Sequence, residues 1–293
     1  MKVIGYAFFL ASVVATLGLI TACSVTSGDD NDADPATDAI IVNHSSIDLA
    51  SIPASWIDQA KQKLHIAYGH TSHGSQLTTG MAGLVTWKGA QYSFNAGGTG
   101  GALDLREGVF DAAQDLGNPD RSAWADETRT YLDQNPAMNV IIWSWCGQVD
   151  GTEAEIQHYI DLMEGLEHDY PNVTFVYMTG HTDGAPLTGN VPLRNKQIRD
   201  YCAANNKVLY DFADIESYDP DGDYFGDKLV NDACDYDSNG DGVRDSNWAV
   251  IWQNAHPGEW YDCLSAHSQP LNANLKAYAA WHLWARLAGW DGK

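Results

Sequence analysis

The stretch YGHTSHGSQL, residues 68–77, places two histidines and two serines in a glycine-flanked turn. The turn follows the apolar run LHIAY, residues 64–68, which has the composition of a buried strand. A serine held at the start of a helix meets backbone N–H groups and a helix dipole, and both favour developing negative charge. Ser72 or Ser75 is therefore a candidate nucleophile. The alternative is a hydroxyl that only caps the following helix.

A serine hydroxyl is a weak nucleophile until a base takes its proton, so a histidine must reach it from another part of the fold. His267 stands just ahead of a helical pattern that begins at Pro270. Asp262 lies five residues before His267 and is a candidate to orient its imidazole. These residues predict a hydrolase in which Ser72, His267 and Asp262 act together.

The histidines of the first turn also support a metal-dependent hydrolase. His70, His73, His181 and Asp183 each lie just beyond an apolar run. Imidazole and carboxylate groups bind zinc and iron, so these four side chains would form a metal site if they converged. In the serine-hydrolase hypothesis the same four residues shape the substrate pocket instead.

A third hypothesis is a surface protein that binds glycans without cleaving them. The chain has 11 tryptophans and 14 tyrosines, and such side chains offer large amphipathic contact surfaces. Most of them lie in apolar runs typical of a core. Trp252, Trp260 and Tyr261 lie in an irregular segment near His267 and are the candidates for ligand contact.

Strand and helix patterns alternate along the body of the chain. The predicted strands are 64–68, 138–145, 172–180 and 207–212, and the predicted helices are 55–64, 75–87, 121–134, 152–170, 191–205 and 270–290. Strands separated by helices of this length form parallel sheets that are covered on both faces. We therefore expect a three-layer α/β/α domain. Ligands of such sheets bind beyond the carboxyl ends of the strands, where the polar clusters at 69–75, 146–151 and 180–184 are expected to meet.

Scattered short blocks within residues 60–290 resemble motifs of the SGNH, or GDSL-like, hydrolase family. The blocks are GHTS (69–72), NAGGTGG (95–101), WCGQVDG (145–151) and the segment around His267. The resemblance implies a flavodoxin-like parallel sheet and an esterase activity. It assigns the nucleophile to Ser72, the base to His267, and oxyanion contacts to Gln148 and to Gly98 or Gly100.

Two departures from the family's pattern affect these assignments. The first block reads Gly-His-Thr-Ser in place of Gly-Asp-Ser, and Leu264 stands where the family has the aspartate of its triad. Asp262 reaches His267 only if the turn is wider. Gln148 replaces the usual asparagine, and in this the chain is similar to some carbohydrate esterases. The resemblance therefore implies an acyl ester, such as an acetyl ester, on a carbohydrate as substrate.

An acidic, turn-rich insert at 213–263 interrupts the alternation of strands and helices, and part of it resembles a calcium loop. In DYDSNGDGVRD (235–245), oxygen-bearing positions recur at the spacing found in EF-hand, dockerin and thrombospondin type 3 loops, and Gly242 permits the sharp turn. Trp248 stands where an EF-hand has its bidentate carboxylate, which argues for a structural calcium site rather than a regulatory one. The predicted ligands are Asp237, Asn239, Asp241, Val243 and Asp245. A second set with this spacing lacks the matching glycine: Asp219, Asp221, Asp223 and Asp227. No pattern for an organic cofactor is present.

The first 22 residues have the pattern of a secretory signal. One lysine precedes a long apolar run, and Ile20-Thr21-Ala22 before Cys23 resembles a bacterial lipobox, which would make Cys23 the lipidated first residue. The alternative is a transmembrane anchor. Residues 23–40 are polar and acidic and read as a flexible tether, so we expect one hydrolase domain at 41–293. The expected location is the outer membrane, the cell surface or the periplasm.

Charge and cysteine content agree with export. The net charge of −23 disfavours nucleic acid and anionic lipid as partners, so membrane contact is expected only through the lipid on Cys23. An even number of cysteines outside the cytoplasm predicts disulfides. Two bridges are expected, with the pairing left open, among Cys146, Cys202, Cys234 and Cys263.

Overall fold

A computed structural model describes residues 38–293 and contains a seven-stranded, fully parallel sheet. Its order is β1-β7-β6-β5-β2-β4-β3. The strands are β1 (Ile40–Val42), β2 (His65–Gly69), β3 (Phe94–Asn95), β4 (Leu103–Glu107), β5 (Val140–Trp143), β6 (Thr174–Met178) and β7 (Val208–Tyr210). The five central strands follow the flavodoxin-like order. The predicted parallel α/β sheet is confirmed.

Helices cover both faces of this sheet. They are α1 (Ala54–Lys63), α2 (Ser75–Lys88), α3 (Ala123–Gln134), α4 (Glu153–Asp169), α5 (Asn190–Ala204), α6 (Phe212–Ile215), α7 (Trp248–Ala255) and α8 (Pro270–Leu287). Side chains alternate between two cores along each strand. In β5, Val140 and Ile142 pack into the core beneath α1, α2 and α8, whereas Ile141 and Trp143 pack beneath α3, α4 and α5. This alternation produces the expected three layers.

The order of the strands reverses at β2, which has later strands of the chain on both of its edges. β4 pairs with one edge of β2 and β5 with the other, so successive connections run in opposite directions from this point. Such a reversal opens a crevice beyond the carboxyl ends of the two strands. Because β2 and β5 are paired neighbours, the residues that follow the two strands lie next to each other at this crevice.

Helices α2 and α8 bring together the two segments that were predicted to be catalytic. A Cβ added at Gly80 of α2 would lie 2.1 Å from the Ala273 carbonyl oxygen of α8, so only glycine permits this approach. Ser72 lies just before α2, and His267 lies just before α8. The close packing therefore fixes the ends of both helices at the same edge of the sheet.

The insert contains little regular structure. Besides α7 and most of α6, it forms a short antiparallel hairpin of β8 (Asp235–Tyr236) and β9 (Ser246–Asn247), which closes the predicted calcium loop. The loop's neighbour is the segment after β6, since the Arg244 guanidinium donates to the Gly184 carbonyl at 3.4 Å.

The predicted disulfides are absent among residues 38–293, where all four cysteines are free thiols. Their surroundings explain the difference. Cys202 is buried in the core beneath α3, α4 and α5, whereas Cys234 is buried in the opposite core. Cys263 accepts a hydrogen bond from the Asn274 amide, and Cys146 contacts His73. The prediction of two bridges was wrong for this structure.

The signal sequence, Cys23 and most of the tether lie outside the described residues. Between residues 38 and 293, no helix combines the length and the apolar composition that crossing a membrane requires.

A buried ion pair connects α8 with the segment after β7. Lys276 and Glu216 both have zero exposure, and Nζ lies 2.7 Å from Oε2. Burial lowers the pKa of Lys276, and the neighbouring carboxylate opposes this shift. The ammonium also donates to the Gln76 side chain of α2 and lies 3.7 Å from the centroid of the Phe212 ring. Three segments, namely α2, α8 and the segment after β7, therefore meet at one charged contact in the core.

Replacing Lys276 with methionine leaves Glu216 as an uncompensated buried charge. We expect the free energy of unfolding, measured by denaturant titration, to fall by about 3–5 kcal/mol. The matched control is Lys196→Met, which removes an exposed pair with Asp200 and should change stability by less than about 0.5 kcal/mol. Equal losses in the two variants would show that burial of the pair has no special role.

Candidate active site

Polar side chains from five segments converge beyond the carboxyl ends of the central strands. We call this group the histidine site. It consists of Ser72 and His73 after β2, Cys146 after β5, His181 after β6, Asp232 in the insert, and His267 before α8.

His73 lies at the centre of the site and is buried. Its Nε2 lies 3.0 Å from the Asp232 Oδ2, and its Nδ1 lies 3.5 Å from the Cys146 Sγ. An ionised carboxylate only accepts hydrogen bonds, so Nε2 carries the proton of the neutral ring. The Nδ1 lone pair then faces the thiol. A nucleophile, a base and an orienting carboxylate are thus aligned.

The charges of this pair suit proton transfer. Burial lowers the pKa of His73, although the Asp232 hydrogen bond opposes the shift. The ring therefore stays neutral to a lower pH than an exposed histidine does. Burial acts to raise the pKa of Asp232, but the His73 hydrogen bond and the nearby imidazoles outweigh it and leave the pKa lowered. At neutral pH, His73 can therefore accept a proton while Asp232 remains ionised.

Ser72 joins the site through the thiol. Its Oγ lies 3.6 Å from the Cys146 Sγ, and either atom can be the donor. Ser75, the other candidate, donates its hydroxyl to the Ser72 carbonyl at 2.7 Å in the first turn of α2. Ser75 thus has the structural role and Ser72 faces the reactive groups.

Two further imidazoles stack with His73. The ring centroid of His181 lies 3.9 Å from that of His73 with nearly parallel planes, and the centroid of His267 lies at 4.5 Å. His181 donates from Nδ1 to the Thr182 carbonyl at 2.7 Å, which leaves Nε2 with a lone pair in the neutral ring. His267 has φ +64°, a conformation that costs energy for a non-glycine residue. Its turn is held by Gln76, whose amide donates to the Ala266 carbonyl.

In the part of the chain that the structure describes, His267 makes no hydrogen bond with Asp262 or Ser72, the two residues that were expected to act with it. Asp262 is exposed, and no hydrogen bond or ion pair within residues 38–293 links it to His267. Nor does a hydrogen bond link Ser72 to His267 in that range. The carboxylate that orients a histidine here is Asp232, and its partner is His73.

Gln148 lies beside the site, since its Oε1 accepts from the Cys146 N–H at 3.1 Å. The glycine-rich loop does not. Gly98 packs against Asp104, the second residue of β4, and Asp104 bonds to His65, the first residue of β2. This loop, which includes Gly100, therefore lies at the amino ends of the strands, and its assignment to the oxyanion hole was wrong.

The four residues of the metal hypothesis come together only in part. His73 and His181 stack, but the His70 Nε2 bonds to the Glu107 carboxylate at 2.7 Å. Asp183 is exposed and accepts from the Ala185 N–H. A different set converges instead. Within the described range, His73, Asp232 and His267 form the one group of three such side chains whose ligand atoms lie within 4.8 Å of one another.

The aromatic residues of the glycan hypothesis offer little open surface. Tyr261 is 7 % exposed and donates its hydroxyl to the Gly80 carbonyl. Trp252 is 8 % exposed and donates to Asp221. Trp260 is half-buried, and its Nε1 bonds to the Gln253 carbonyl. These three side chains hold the irregular segment against the domain.

The loop at 235–245 is organised around one carboxylate. Asp237 accepts hydrogen bonds from the backbone N–H groups of Asn239, Gly240, Asp241 and Gly242. The Gly242 bond, ahead of the others, holds the pKa of Asp237 below its usual range despite partial desolvation. In the first acidic loop, burial raises the pKa of Asp219, and Asp221 is bonded to Trp252. The first loop has one positive-φ glycine, Gly222, which matches Gly240 of the second loop. Only the second loop also has a glycine at the sixth position, Gly242, where a calcium loop turns sharply.

Sequence reasoning missed Asp232 and the role of Cys146. Asp232 stands in the NDACD segment (231–235) of an acidic insert, where nothing in the residue pattern separates it from its neighbours. Cys146 directly follows an apolar strand, at a position where parallel sheets place ligands, and this was the available signal.

Comparison with known proteins gives no assignment for this site. No protein-family model matches the chain, and no curated protein shows significant similarity to it. The chemistry must therefore be inferred from the geometry.

The contact between Cys146 and His73 predicts a reactive thiol. We expect iodoacetamide to alkylate Cys146 in the folded protein before the other cysteines, with peptide mapping by mass spectrometry as the measurement. Burial raises the pKa of Cys234 to about 12 and that of Cys263 to about 11. Both thiols therefore form little of the reactive thiolate, and their alkylation is slow. His73→Gln should slow the Cys146 reaction. A rate unaffected by that variant would contradict the proton-accepting role of His73.

Proposed function

We propose that this protein is a hydrolase that cleaves an acyl ester through a covalent intermediate at the histidine site. The observation that carries this proposal is the contact series Ser72, Cys146, His73 and Asp232, which links a hydroxyl and a thiol to an oriented imidazole. The parallel sheet with its crevice at the same edge also agrees with an SGNH-type hydrolase.

Ser72 is the nucleophile that the family resemblance assigns, and the contacts provide a path for its proton. The hydroxyl donates to the Cys146 sulfur while the thiol proton moves to the His73 Nδ1, so the serine oxygen attacks the acyl carbon and His73 becomes an imidazolium. Asp232 stabilises that charge. The imidazolium then returns a proton to the leaving alcohol, and water repeats the sequence to release the acid.

Donors for the oxyanion are present beside Ser72. The backbone N–H groups of Ser72 and His73 have no hydrogen-bond acceptor within residues 38–293 and lie just before the start of α2. The Gln148 side chain contacts the neighbouring Cys146 backbone and can supply its amide group. Losing one such donor typically lowers kcat on the order of a hundredfold or more.

A second candidate has Cys146 itself as the nucleophile. The 3.5 Å contact with His73 favours it, because the thiol is the group in direct contact with the base. The reaction class is unchanged, since an acyl-thioenzyme would form in place of an acyl-serine.

A carbohydrate ester is the substrate we favour. The proposal rests on the position of Gln148, on the export signal, and on a cavity of about 200 Å³ adjoining Thr71. His70, Phe110 and Gln114 line this cavity and offer both apolar and hydrogen-bonding surface to a small acyl group or sugar ring.

We also propose that the insert binds calcium and that the chain is exported as a lipoprotein. The loop at 235–245 supports the first by its spacing and its glycine turns, and calcium would fix the hairpin beside Asp232. The lipobox before Cys23 supports the second. Attachment to a membrane would then come from the lipid alone.

The nucleophile is identified by assaying matched variants on a chromogenic acetate ester. We expect Ser72→Ala to lower kcat by more than about a thousandfold. Cys146→Ala should reduce it by about a hundred- to ten-thousandfold, because the serine loses its proton path to His73 while the hydroxyl remains.

The controls are Ser122→Ala and Cys263→Ala, which remove a hydroxyl and a thiol outside the site. Activity should persist with a transition-metal chelator present. If Cys146→Ala is inactive while Ser72→Ala keeps most of its rate, the thiol is the nucleophile. If no variant of the site affects turnover, the proposed site is wrong.

Calcium should stabilise the folded protein. At a concentration about 100-fold above Kd, binding adds about 2.7 kcal/mol, which corresponds to a rise in Tm of roughly 5–10 °C for a domain of this size. Asp237→Asn should abolish the rise, whereas Asp161→Asn on the exposed face of α4 should not. A Tm that does not respond to calcium would argue against the site.

A further inference from the structure

We propose that His73, Asp232 and His267 form a binding site for a divalent transition metal ion of the zinc class, and that metal binding switches the hydrolase off. The metal site depends only on the geometry of these three residues. The inhibitory effect rests on the proposed function.

The three ligand atoms are already close together. One ligand atom from each side chain lies within 4.8 Å of the other two. Two ligands of a tetrahedral zinc ion lie about 3.4 Å apart, given metal–ligand bonds of about 2.0–2.2 Å. The His73 Nε2 and the Asp232 Oδ2 are 3.0 Å apart, so they need to separate by only a few tenths of an ångström to admit an ion.

The ligand types select the class of metal. Two imidazole nitrogens and one carboxylate oxygen suit zinc, nickel and copper, whereas calcium and magnesium take sets of oxygen ligands. Three protein ligands leave a fourth position for water or an anion. His267 is exposed, so an ion can enter from solvent, and the left-handed backbone at this residue holds the ring beside His73.

The inhibitory effect follows from the tautomer of His73. In the metal-free site, Nε2 carries the proton and donates it to Asp232, which leaves the Nδ1 lone pair facing Cys146. A metal ion at Nε2 requires the lone pair there, so the ring proton moves to Nδ1. The ring carries one proton before and after metal binding, but on a different nitrogen. Nδ1 then donates where it previously accepted, and it can no longer take the proton of Cys146 or Ser72.

The metal also removes Asp232 from its orienting role, because the carboxylate oxygen that held Nε2 now binds the ion. The catalytic and metal-bound states therefore exclude each other. They share two side chains, His73 and Asp232, and they require opposite tautomers of the same ring.

The test is equilibrium dialysis of the whole protein against zinc, followed by metal analysis, with excess calcium present to occupy the acidic loops. We expect one zinc ion per chain. Asp232→Asn and His267→Gln should each weaken binding by at least about tenfold. The matched control is His256→Gln, which removes an imidazole that stacks on Trp252 outside the site. This variant should bind zinc as the unchanged protein does.

Ester hydrolysis provides the second readout. Zinc should inhibit turnover at the concentrations at which it binds, and a transition-metal chelator should restore the rate. Zinc binding by Asp232→Asn as tight as that of the unchanged protein would overturn the metal site. Stimulation by zinc would overturn the inhibitory role and favour a metal-dependent hydrolase. Zinc binding that needs these residues, in a protein that cleaves no ester with or without zinc, would support the metal site while refuting the proposed function.

Discussion

The buried contact between Lys276 and Glu216 is the interaction on which the arrangement of the site depends. Glu216 accepts hydrogen bonds from the backbone and side chain of Thr182, the residue after His181. Lys276 donates to Gln76, whose amide holds the carbonyl of Ala266, the residue before His267. Backbone groups of buried loops need hydrogen-bond partners. Here the partners are Glu216 of the charged pair and Gln76, which Lys276 holds. The two outer imidazoles of the stack are thus positioned by the core.

The insert completes the site from the other direction. Asp232 lies in a turn that the β8–β9 hairpin closes, since the Asn247 side chain donates to the Ala233 carbonyl and to Asp235. The loop at 237–245 connects the two strands of that hairpin. An ion bound in this loop would therefore act on the carboxylate that holds His73. An acidic segment that interrupts the α/β repeat supplies the orienting group of the proposed active site.

The fold was predictable because its central strands are apolar runs separated by helices, as in MNVIIWSW and NVTFVYMTG. β4 was missed because its sequence, LDLRE, contains charged residues that form their own pair, Asp104 with Arg106. The location of the site could be predicted, because polar residues follow the carboxyl ends of the strands. The hydrogen-bond partners within the site could not. His73 and Asp232 are separated by 159 positions, and only the packing of the insert onto the sheet brings them together. Asp262 is nearer to His267 in sequence, yet it faces solvent.

The position of one proton connects these features. A histidine between a thiol and a carboxylate is a base towards the thiol only while the carboxylate holds the proton on the far nitrogen. Asp232 does this for a ring that is itself buried, and burial favours the neutral form of that ring. The two nitrogens of the ring face different parts of the chain. Nδ1 faces Cys146, which follows β5, whereas Nε2 faces Asp232 of the insert, with His267 of the turn before α8 close to both. The orienting group of the proposed base therefore comes from a segment distant in sequence.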